Sequence, residues 1–98
     1  MGNFDTPIRL GIVGCGAVTR NCHLPALQDV PELKVTVLCD RMEKFTRMAN
    51  LEFGLGAAQT TDIAGFAGTV DAALVAVAPR LHRPIATQLL EAGINVLC

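Results

Sequence analysis

Gly14 and Gly16, followed by Thr19, stand between a short apolar run and a stretch able to form a helix. In that setting a Gly-x-Gly turn has a definite chemistry. The first glycine permits the tight reversal, and the second lacks a side chain, so a pyrophosphate can approach the backbone. A helix opening at Ala17 and Val18 then offers unpaired N–H groups and the positive end of its dipole to the phosphates. The third place of the pattern, commonly Gly or Ala for close packing of helix on strand, holds the bulkier Thr19. That departure weakens the motif without removing its phosphate chemistry.

Asp40 closes the next apolar run, a little over 20 residues past the start of that helix. A carboxylate at this place accepts hydrogen bonds from adenosine ribose hydroxyls and repels a 2′-phosphate, which favours NAD over NADP. Arg41 follows directly and works the other way, since a guanidinium suits phosphate, so NADP stays open. A glycine turn can be only a turn, and a strand-end aspartate only a helix cap. It is their register with each other that points to a dinucleotide.

The two histidines differ in position. His23 lies beside Pro25 and reads as a surface or packing residue. His82 follows a buried strand in Pro79-Arg80-Leu81-His82. Ligands of open parallel sheets bind outside the carboxyl ends of the strands, which makes Arg80 and His82 candidates to line the site. The cysteines at 15, 22, 39 and 98 form no C-x-x-C pair. They read as small packing residues and not as metal ligands.

The elements that must position these groups follow from periodicity. Ile8 to Val13 is a strand running into the glycine turn. Ala17 to about His23 is a helix with Val18 and Cys22 on one face, ended or kinked at Leu24 by Pro25. Leu33 to Cys39 is a β-branched strand. Met42, Phe45, Ala49 and Phe53 repeat at helical spacing before Gly54. Ala57 to Thr60 makes a brief edge strand, and 62–67 a helical turn capped by Thr61. Val70 to Ala78 is a strand buried on both faces. Pro84 opens a helix with Ile85, Ala86, Leu89 and Leu90 inward, closed by Gly93, and a fifth strand starts at Asn95. The sum is an α/β fold of Rossmann type: one domain over residues 1–98, an open parallel sheet with helices on both faces.

Composition agrees and excludes other classes. Hydrophobic residues are 51% of 98, aromatics 4%, and the formal net charge is −1. Small branched apolar residues suit strands covered on both faces, and the charge balance recruits neither nucleic acid nor an anionic membrane. No apolar run is long enough to span a bilayer and no charged leader precedes one, so a cytoplasmic protein is expected. Met1-Gly2-Asn3-Phe4-Asp5-Thr6 fits the loose N-myristoylation pattern. No basic cluster follows to supply a second anchor, and an unmodified terminus is expected.

Several stretches occur together in familiar order: Arg9-Leu-Gly-Ile-Val-Gly-Cys-Gly-Ala17, His23-Leu-Pro-Ala-Leu27, Cys39-Asp40-Arg41, Val70 to Val77 and Ala92 to Cys98. Nearly the whole chain resembles the N-terminal domain of the glucose–fructose oxidoreductase and inositol dehydrogenase family (Gfo/Idh/MocA). Pro79-x-x-His82 is the most family-specific piece. The resemblance implies an NAD(P)-dependent oxidoreductase acting on sugars, cyclitols or related hydroxy and carbonyl compounds. It places Gly14 and Gly16 at the pyrophosphate, Asp40 and Arg41 at the adenosine ribose, and Pro79 and His82 near the nicotinamide half. In the family the strand matching Val96 to Cys98 leads into Glu-Lys-Pro, whose lysine works in catalysis, and a second domain carries the substrate pocket. The 98 residues are therefore expected to be a cofactor-binding fragment with no catalytic residue, incomplete at the C-terminus. Apolar surface left exposed there would favour self-association. The alternatives are a stand-alone dinucleotide-binding module without catalysis and an S-adenosylmethionine site on the same fold.

Overall fold

The computed structural model describes residues 7–97; the acylation pattern at 1–6 and Cys98 lie outside them. Five strands, β1 (Ile8–Val13), β2 (Leu33–Cys39), β3 (Ala58–Thr60), β4 (Ala72–Val75) and β5 (Asn95–Leu97), form one sheet. Their order is β3-β2-β1-β4-β5 and every neighbouring pair is parallel. The order reverses at β1, so β1 and β4 part to opposite sides after adjacent strands, and their carboxyl ends form the crevice where open α/β sheets bind ligands. The expected α/β architecture is borne out.

Two cores lie on the two faces of the sheet. Leu10, Ile12, Cys15, Leu24, Val35, Leu38 and Ala49 meet on one, and Val13, Val37, Cys39, Phe66, Val75 and Leu89 on the other. Strand alternation alone would put Val35 and Val37 on the same face. A register shift pairs Leu10 with Val35 but Gly11 with Val37, so Thr36 is passed over. That one-residue bulge resets the alternation and lets β2 serve both cores.

The first helix, α1 (residues 17–27), does not stop at Leu24. It widens to a π-turn over Thr19–His23 and ends as α-helix over Leu24–Leu27. Pro25 has no N–H and its ring crowds the carbonyl four residues back, and the wider turn just before it makes room for the ring without breaking the helix. Nor do Val18 and Cys22 face inward: both are exposed, and Thr19 and Leu24 are the buried pair.

Helix α2 (Glu43–Phe53) ends as expected, with Gly54 in the left-handed region at φ 59°. Its inner residues are Thr46 and Ala49, while Met42 precedes the helix and is exposed. The short turn Ile63–Phe66 is capped by Asp62 and not by Thr61: the Asp62 carboxylate accepts from the Ala64 N–H at 2.9 Å. β4 is shorter than its apolar sequence, covering four of the nine residues 70–78.

Helix α3 (Pro79–Glu91) opens five residues earlier than Pro84, with Pro79 in its first turn. Pro79 loses nothing there, because the N–H it lacks would be unpaired. Pro84 sits inside the helix, and Leu90 is exposed where an inward position was expected. Arg9 and Asp71 tie the start of β1 to the start of β4 with a 3.0 Å ion pair, and Asp71 also accepts from the Arg9 backbone N–H at 2.9 Å. The guanidinium holds the Asp71 carboxyl below the usual carboxylate range.

Candidate functional site

The glycine turn is held from three sides. Gly14 N–H donates to the Cys39 carbonyl at 2.8 Å, joining it to the end of β2. Asp40 accepts from the Cys15 N–H through Oδ2 and from the Met42 N–H through Oδ1, both at 2.8 Å. Thr19 Oγ1, fully buried, donates to the Gly14 carbonyl and pins α1 to the turn. The third position of the motif is therefore a clamp, and the expected weakening by a bulky residue does not arise.

Gly14 and Gly16 are glycines for different reasons. Gly14 has φ 96°, and a Cβ there would collide with the Ala76 carbonyl of the neighbouring strand end. The fold itself requires it. Gly16 has no positive φ, and a Cβ built on it meets nothing within 4 Å. Neither backbone nor packing demands glycine at 16, which leaves open space above an amide where a side chain would obstruct an incoming group. The first bond of α1 runs from Arg20 N–H to the Gly16 carbonyl at 3.1 Å. The N–H groups of Ala17, Val18 and Thr19 precede that bond and have no partner within the helix.

Two cavities flank the turn and share Val77. One, about 270 Å³, is lined by Gly14, Asp40, Arg41, Asp62, Leu81 and Ile85 among others. The second, about 460 Å³, lies between α1 and the end of β4, lined by Gly16, Ala17, Val18, His23, Ala76 and His82 among others. The sequence candidates thus divide: Gly14, Asp40 and Arg41 on one side, Gly16, Ala17, Val18 and His82 on the other. Pro79 lines neither cavity and acts by starting α3; Arg80, in the same turn, is exposed and lines neither. His23, expected as a surface or packing residue, is half-buried in the wall of the second cavity. Asp62 also escaped sequence reasoning, although its place after β3 at the carboxyl edge of the sheet was a signal.

His82 is oriented by a 2.9 Å contact between Nε2 and the Val77 carbonyl. A carbonyl only accepts, so Nε2 carries the proton and, in the neutral ring, Nδ1 is left as an acceptor. Cys15 and Cys39 are buried beneath the turn. Removal from water pushes their thiols up to about 12 and about 11, with Asp40 adding to each shift. They are packing groups at neutral pH. Among the described residues, no cluster of His, Cys, Asp and Glu could hold a metal ion, and no helix is long and apolar enough to cross a membrane.

An all-parallel sheet reversing at β1, with a Gly-x-Gly turn feeding a helix at the reversal, defines a Rossmann domain. The chain belongs to the oxidoreductase family with an NAD-binding Rossmann fold, whose model matches residues 8–98. Three solved structures illustrate the likeness. GenD2 from gentamicin A biosynthesis, in complex with NAD, is 28% identical with a TM-score of 0.84, over 97% of this chain and 27% of that one. The 3-ketoreductase KijD10 from Actinomadura kijaniata, with NADP and TDP-benzene, is 28% identical with a TM-score of 0.84, over 94% and 28%. The WlbA dehydrogenase from Bordetella pertussis, with NADH and UDP-GlcNAcA, is 28% identical with a TM-score of 0.81, over 93% and 28%. The chain thus spans little more than a quarter of each. No curated protein sequence matched it.

Proposed function

We propose that this chain is the cofactor-binding unit of an NAD(P)-dependent oxidoreductase acting on a sugar, cyclitol or related hydroxy or carbonyl compound. The observation that carries the reading is Gly16, a glycine that the protein's own backbone and packing do not require. The unpaired N–H groups behind it suit a pyrophosphate, and the cavities on either side suit the two nucleoside halves. Gly14, Gly16, Ala17 and Val18 hold the pyrophosphate. Asp40 and Arg41 meet the adenosine ribose, and His82, in the α3 turn that Pro79 opens, lies by the nicotinamide half. When bound, the cofactor supplies hydride donation or acceptance. No residue of the chain is assigned as its acid or base.

NAD is the preferred form. The smaller cavity carries two carboxylates, Asp40 and Asp62, against the single guanidinium of Arg41. Ribose hydroxyls donate to such a wall, whereas a 2′-phosphate is repelled by it. The substrate class is supported by relatives solved with TDP-benzene and UDP-GlcNAcA.

Self-association is a further part of the reading. Helices α1 and α2 cover one face of the sheet over β1 to β3, and Leu97 of the edge strand β5 is exposed outside that cover. Binding of NAD and NADP by calorimetry, with Gly16→Val as the control, tests the core of the proposal. A wild-type chain that binds neither dinucleotide overturns it.

A further inference from the structure

The π-turn in α1 changes which residues reach the second cavity. In an unbroken α-helix residues four apart share a face, so His23 would stack beneath the buried Thr19. Here the Leu24 N–H reaches back five residues to the Thr19 carbonyl. Leu24 therefore takes the place under Thr19, and both are 1% exposed. Leu24 joins Leu10 and Ile12 in the core. His23, one residue earlier, falls off that line. It leaves the core line and enters the wall of the 460 Å³ cavity that His82 also lines. Single-turn π-bulges in helices concentrate at functional sites, and this one exchanges a core position for a groove position.

The wall is otherwise poor in polar groups. Its remaining side chains are aliphatic apart from Thr19, and the two imidazoles are its only titratable groups. The neighbouring charges point elsewhere: the Arg20 guanidinium lies 5.7 Å from the centroid of the Phe45 ring, and Arg80 and Arg83 of α3 are exposed outside the wall. His82 is committed to the Val77 carbonyl through Nε2 and faces the groove without a proton to donate when neutral. The backbone N–H groups of Ala17 to Thr19 face the pyrophosphate in the proposed function, and Thr19 Oγ1 is taken by the Gly14 carbonyl, so a ribose hydroxyl on this side has His23 as its side-chain donor.

We propose that His23 contacts the dinucleotide directly, donating an imidazole N–H to its nicotinamide-ribose half across the groove from His82. The proposal rests on the dinucleotide reading above. Its test compares NAD with AMP, which fills the adenosine half alone, on the full 98-residue chain. His23→Ala weakens NAD about 5–10-fold, the loss of one hydrogen bond to a polar or charged group. AMP affinity stays within about twofold, which also reports an intact fold. His23→Asp, placing an anion in the wall, weakens NAD further. Unchanged NAD affinity in both variants, or an equal loss for AMP, overturns the role of His23. If Gly16→Val still removes NAD binding, the dinucleotide reading survives that result. A wild-type chain binding neither NAD nor AMP sinks both.

Discussion

Thr19 Oγ1 donates a hydrogen bond to the carbonyl of Gly14, so the third residue of the glycine motif closes a ring with the first. Thr19 is 1% exposed, and α1 cannot swing away from the turn without leaving that carbonyl bare. Thr19→Val keeps the shape and removes the donor. Leaving a buried acceptor unsatisfied costs about 1–2 kcal/mol. At roughly 4–8 °C per kcal/mol for a domain of this size, Tm should fall by about 5–15 °C, read by thermal denaturation. A Tm equal to wild type would show that the clamp carries no stability.

This clamp marks how far the sequence could be read. Strand β1, the turn and Asp40 were legible because each follows from a local rule: an apolar run, a glycine pair, an acid at a strand end. Thr19 was misread because its value lies in a hydrogen bond across the turn, and the motif rule speaks only of side-chain size. The place of His23 in the cavity wall was not legible because the π-turn is invisible to a 3.6-residue period. The start of α3 was misplaced because Pro79 and Pro84 both qualify as first-turn prolines. Only the end of β4 at Val75 decides between them.

Gly11 also has a tertiary reason that no local rule contains. A Cβ at this position would lie 2.6 Å from Cε2 of Phe66, whose ring is fully buried beside Val13 and Val75. Gly11→Ala therefore overpacks that core at a cost of about 1–3 kcal/mol. Phe66→Leu alone is destabilising through the space it leaves, yet added to Gly11→Ala it makes room for the methyl. The double variant should be more stable than the sum of the single losses, measured by urea denaturation. Strict additivity would mean that the two residues do not meet in this way.

Asp40 serves both the fold and the proposed ligand, and the two can be separated. Asp40→Asn keeps one oxygen acceptor but turns the other into a donor facing a backbone N–H, either of Cys15 or of Met42. A stability loss of about 1–3 kcal/mol is expected from that mismatch. Loss of the negative charge should at the same time narrow any preference for NAD over NADP. Equal proportional changes in the two affinities would take the carboxylate off the ribose.

The buried thiols give a pH dependence with a definite sign. Cys15 and Cys39 ionise at about 12 and about 11 in the folded chain, against 9.0 for an unburied thiol. Above pH 9 the unfolded chain releases these protons first, so it binds fewer protons than the native state and stability falls as pH rises. The contribution is whole below pH 9 and is lost as pH climbs through the folded values. Thermal denaturation between pH 8 and 11 should therefore show a declining Tm, and Cys15→Ala should flatten the decline. The same burial orders reactivity towards an alkylating reagent at pH 8, because the thiolate is the nucleophile. Peptide mapping should find exposed Cys22 labelled in the native protein, with Cys15 and Cys39 labelled only after denaturation. Rapid native labelling of Cys15 would mean that the glycine turn opens readily, and the rigid phosphate cradle would fail with it.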